Sequence, residues 1–142
     1  MNVTFRTRDD GQVDAYLDDA WPILNEALAD SISSLPPRGA AGLGPSTYWI
    51  DVAESGARRA ASTQDETPFT GGNSTLLRVQ HGQVIASFDF ASDDEPSEGM
   101  PLEDFVGLLA AWRAQVILSA AQSTQPLPET YRRNPSARQP NE

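Results

Sequence analysis

The chain has no cysteine, no lysine and only one histidine, His81, in 142 residues. Without cysteine there is no disulfide framework, no thiolate nucleophile and no Cys-based metal centre. One imidazole leaves carboxylates as the main donors, a poor set for a transition metal. The run Asp93-Asp94-Glu95 with Glu98 has the charge of a calcium loop, but it lacks the alternating ligands, central Gly and closing Glu. A serine nucleophile would depend on His81 as its base, and no Ser sits in a G-x-S-x-G context. The Gly-rich stretch 39–44 runs into Pro45 without the Lys-Ser/Thr of a phosphate loop. Carboxylate pairs for acid–base work abound among twenty acids, yet no spacing selects one pair. No metal, no other cofactor and no catalytic constellation is therefore expected. No apolar run approaches a bilayer span in length, and the opening MNVTFRTRDDG lacks the apolar core of a secretory signal. A cytoplasmic protein without membrane contact is the expectation.

What the chain does have is negative charge, a net −10 with all ten cations arginine. Such a chain repels nucleic-acid phosphate and attracts a basic protein surface. The charge is uneven. Residues 123–142 carry four Pro, three Arg and no apolar period, and read as a disordered tail of net charge +1. The remaining 1–122, one domain by length, carries seven Arg against eighteen acids, or −11.

The strongest local pattern is the helix expected over 101–122. It opens on Pro101 with Glu103 and Asp104 at its positive end, and Leu102, Phe105, Val106, Leu109, Trp112, Val116 and Ile117 form its apolar stripe. The stretch 83–90 ahead of it alternates as a strand, paired through a His81-Gly82 turn with another over 74–80. Near the N-terminus, residues 2–8 alternate and Asp9-Asp10-Gly11 marks a turn. Residues 12–18 then read either as the returning strand or as the start of a helix. The helical period predicts a main helix from about Ala20 to Ser34, with Pro22 in its first turn and Asp18 or Asp19 as the cap. Pro36-Pro37 ends it. Alternation of Tyr48, Ile50 and Val52 predicts a strand over 47–53, with a weaker return over 57–63. The order of elements gives an α+β domain: an antiparallel sheet of four or five strands, with the N-terminal and C-terminal helices packed on one face.

Trp21 and Trp112 fall in helical stripes and read as core; Trp49, on the opposite strand face, is either covered by a helix or open to a partner. The surface candidates are thus acidic: Asp93, Asp94, Glu95 and Glu98 in the loop, Glu103 and Asp104 at the helix start, and Trp49. Replacing the four loop acids together by Ser is expected to slow association with a basic partner while leaving folding nearly unchanged.

The arrangement GQVIASFDF, an acidic loop, then GMPLEDFVGLLAAWR resembles bacterial immunity proteins of polymorphic-toxin and contact-dependent inhibition systems. Leu102, Phe105, Leu109 and Trp112 occupy the places of their leucine, phenylalanine, leucine and tryptophan. The resemblance covers about forty residues and implies a small acidic cytoplasmic protein, a monomer or weak homodimer, that binds and neutralises a cognate toxin domain, often a basic nuclease. The size, acidity and element order are also similar to those of acidic type III secretion chaperones, which hold effector segments as homodimers.

Overall fold

The computed structural model describes residues 2–37, 44–89 and 95–123. Their order is β1 (Val3–Thr7), β2 (Val13–Leu17), α1 (Pro22–Asp30), α2 (Tyr48–Thr63), β3 (Thr70–Gly71), β4 (Thr75–Gln80), β5 (Gln83–Phe88), β6 (Glu98–Pro101) and α3 (Leu102–Ser123). The class is α+β, with two antiparallel sheets: the β1–β2 hairpin, and a four-stranded sheet in the order β3-β4-β5-β6.

Within residues 12–18, Val13–Leu17 is strand rather than helix. Gly11, at φ 90°, lets the chain turn where a side chain would be strained. The turn closes through Gly11 N donating to Arg8 O and Arg8 N donating to Gln12 O. The second hairpin is tighter. His81 (φ 52°) and Gly82 (φ 76°) both sit in the left-handed region, as a two-residue type I′ connection requires. The register Val79↔Val84 and Leu77↔Ala86 puts four buried side chains on one sheet face, and Met100 extends that row opposite Val84.

The expected strands over 47–53 and 57–63 are not strands. Residues 48–63 form the continuous helix α2. Alternation around Trp49 competes with a longer helical period, since Ile50, Ala53, Ala57 and Ala60 recur at threes and fours and are all buried. An Arg58–Glu54 pair at i, i+4 supports the exposed side. Gly56 is small enough to seat Phe69, whose Cβ and Cδ1 would lie 3.2 Å from a Cβ there. Phe69 in turn meets Phe105 of α3 edge-on, at 6.0 Å between ring centroids.

Helix α1 is shorter than its period suggests, ending at Asp30 rather than Ser34. Tertiary bonds draw the chain away: Ser31 Oγ lies 2.6 Å from Thr75 Oγ1, and the Asp30 carboxylate accepts from the backbone N–H groups of Asn73, Ser74 and Thr75. Those amides, with the Thr75 hydroxyl, more than offset desolvation and hold the Asp30 carboxyl at about 2. At the other end Pro22 occupies the first turn as expected, but neither Asp18 nor Asp19 caps the helix. The free N–H groups of Ile23 and Leu24 donate instead to Glu98 Oε1, at 2.9 and 2.8 Å.

Helix α1 lies against β2, β4 and β5, and α2 against β4 and α3. The longest helix, α3, packs on β1, β2, β5, β6 and α2. Its stripe of Phe105, Leu108, Leu109, Trp112 and Val116 is buried, whereas Ile117, expected in the stripe, is 55% exposed. Buried Trp112 donates from Nε1 to Val13 O at 2.8 Å, and Ser119 Oγ donates to Gly11 O at 2.6 Å, so α3 fastens the N-terminal hairpin. Contrary to the reading of apolar runs, Leu102–Gln122 is long and apolar enough to cross a membrane by length and composition. In the structure only part of that apolarity lies in the core stripe, Ile117 and Leu118 being exposed. Strands β3 and β6 carry no strand signal, Glu98-Gly-Met-Pro being a composition that pairs only as an edge.

Candidate functional site

The acids expected to meet a partner occupy several different environments. Asp93 and Asp94 lie outside the described residues, as does the expected tail from 124 onward. Glu95 is exposed ahead of β6. Glu98 faces inward to the start of α1, so a Ser in its place would strip the helix of its anionic cap and disturb folding. Trp49 is half-buried on α2, edge-on to Tyr48 at 4.8 Å, and borders a hollow of about 190 Å³ with Asp30 and Gly71. Glu98 and Trp49 therefore mark opposite ends of the nine-residue α1, about 13 Å apart along its axis.

Glu103 and Asp104 do come together, both exposed in the first turn of α3. They rim a groove of about 310 Å³ between α3 and β1, whose floor is Val3, Gly107, Leu108 and Ala111. A Cβ built at Gly107 meets nothing within 4 Å, so the groove is open above that position. The floor residues were not singled out from sequence. Gly107, a glycine inside an otherwise strong helix, was the available signal.

No arginine among the described residues pairs with Glu95, Glu103 or Asp104. The cations that do pair are engaged elsewhere. Arg8 binds Asp14 through two bonds, Nε–Oδ2 at 2.7 Å and Nη2–Oδ1 at 2.8 Å. Arg113 of α3 clamps α2 through Asp51 at 2.7 Å and Glu54 at 2.6 Å. Glu54, accepting from Arg113 and then Arg58, is held below the usual carboxylate range. Other N-terminal acids serve local turns, Asp10 accepting from Gln12 N and Asp18 from Ala20 N. Among the described residues no group of three His, Asp or Glu side chains is placed to hold a metal ion. Chemically, the α3 groove offers a short apolar floor beside two carboxylates that pair with no arginine among the described residues and that the positive end of the α3 dipole favours.

Comparison with protein-family models, curated proteins and solved structures finds no match to this chain.

Proposed function

We propose that the protein is an immunity-type inhibitor that binds a basic protein domain, its cognate toxin, through the acidic start of α3 and the groove beside it. The observation that carries this reading is the pair Glu103 and Asp104 above an apolar floor, with no arginine of the described chain to neutralise them. Negative charge there favours approach of a basic surface, and the half-buried Val3 and Ala111 offer the apolar contact that converts encounter into a complex. In this reading α1 and α3 sit on the sheet face that carries Leu77, Val79, Val84 and Ala86.

The test is a capture experiment with the full chain as bait, at low and at moderately high salt. Wild type is compared with Glu103→Gln/Asp104→Asn and with Gly107→Leu, which fills the groove. A basic protein retained by wild type and lost from both variants, with unchanged thermal unfolding, supports the proposal. No retained protein, or one held equally by all three, overturns it.

A second reading, a secretion chaperone acting as a homodimer, draws on the exposed Ile117 (55%) and Leu118 (57%) of α3. Sedimentation equilibrium separates the two: a monomer or weak dimer fits the inhibitor, an obligate dimer the chaperone.

A further inference from the structure

A second concavity, of about 410 Å³, opens between the C-terminal end of α2 and the tip of the β4–β5 hairpin. Its floor is Ala60, Ala61 and Val79, and its rim is Gln64, Glu66 and His81. The polarity of the rim is one-sided. Helix α2 ends here with no basic residue in its last turn, and its final carbonyls accept from Gln64 N, Asp65 N and the Ser62 and Thr63 hydroxyls, which leaves Glu66 as the charged group of the rim. Glu66 is exposed, and it accepts a long bond, 3.4 Å, from Gln80 Nε2. None of the arginines in the described ion pairs reaches it. A metal ion would find one carboxylate and one imidazole, too few donors to be held. A long basic side chain suits the cleft better. Its alkyl stem lies along alanine and valine while its charged head meets Glu66.

The cleft also borders the surface assigned above. Leu102 N donates to Gly82 O at 3.0 Å, tying the hairpin tip to the turn of α3 that carries Glu103 and Asp104. Resting on the proposed function, we infer that this cleft receives one arginine or lysine side chain of the same basic partner, with Glu66 as its counter-charge.

The experiment titrates the isotope-labelled full chain with N-acetyl-arginine amide, using N-acetyl-norleucine amide as the uncharged control and following backbone amide shifts. The expected result is a saturable response at Gln64, Glu66, His81 and Gly82 to the arginine probe alone. Glu66→Gln should weaken it about two- to fivefold, the range for a partly solvated ion pair. Ala61→Leu, which narrows the cleft, should remove it while leaving the response at Glu103 and Asp104 unchanged. The cleft is overturned if the arginine probe moves Glu103 and Asp104 but not these residues. It is equally overturned if Glu66→Gln, at an exposed position, leaves the cleft response unaltered. A response in the cleft with none at Glu103 and Asp104 sustains the cleft and counts against the α3 groove instead.

Discussion

At the scale of single residues, Asp30 shows how one side chain joins distant segments. Its carboxylate satisfies three successive backbone amides in the turn before β4, and a Cβ at neighbouring Gly72 would collide with it. The folded-state pKa, about 2, is below the ordinary 3.8. The stabilisation is therefore complete above pH 4 and is lost as pH falls toward 2, because the unfolded chain takes up the proton first. Asp30→Asn should cost about 1–2 kcal/mol at neutral pH, discounted for the carboxylate's remaining contact with water. Thermal unfolding followed from pH 6 to pH 2 should show wild type and variant converging. Curves that stay parallel down to pH 2 would refute this role.

At the scale of elements, the start of α1 depends on a residue 75 positions away in sequence. Trp21 at the helix boundary provides no side-chain cap, and Glu98 of β6 takes its place. Glu98→Ala should destabilise the fold by about 1 kcal/mol, as losing a cap and its interaction with the helix dipole does. Hydrogen exchange at the Ile23 and Leu24 amides should accelerate beyond that of the helix centre. Equal protection in the variant would show that another group caps α1. The β4–β5 hairpin makes a parallel demand on Gly82. Gly82→Ala meets no steric obstacle but must adopt φ 76°, and should cost about 1 kcal/mol in chemical denaturation, while a neutral result would mean the turn rearranges. Such tests at β5, β6 and the first turn of α1 probe support for the same α3 start that carries the proposed contact.

At the scale of the whole molecule, charge is the dominant property. The paired arginines sit in the N-terminal hairpin and along the α2–α3 seam, so the acids of the α3 start, Glu103 and Asp104, are among those left without an arginine partner in the described residues. For a basic partner held there, raising salt from about 20 to 200 mM should lower the association rate by tenfold or more while changing dissociation far less. Stopped-flow mixing measures both. A salt-independent association rate would mean that contact is made through an apolar surface instead, such as the one that exposes Ile117 and Leu118.

Much of the fold was legible where local and global preferences agree. The β4–β5 hairpin, Pro22 in a first turn, the long α3 and the core positions of Phe105, Leu109 and Trp112 follow from period and turn chemistry, which act over a few residues, whereas residues 12–18 read either as strand or as helix. The helix α2 was misread because Tyr48, Ile50 and Val52 alternate over a span too short to separate strand from helix. Burial of Ile50, Ala53, Ala57 and Ala60 against β4 and α3 decided it. The same limit hid β6, Glu98 as a cap and the early end of α1, all of which depend on partners tens of residues away. Of the proposed site, the charges of Glu103 and Asp104 could be read directly, but the groove beneath them could not. Its floor joins Val3 to residues a hundred positions later, and only packing the hairpin on α3, through Trp112 and Val13, brings them together. The sequence by itself determined the α+β class, the negative charge and the residues able to bear it. The tertiary structure decided which of those charges face outward, because burial and long-range hydrogen bonds assign a carboxylate to a helix end or leave it to a partner.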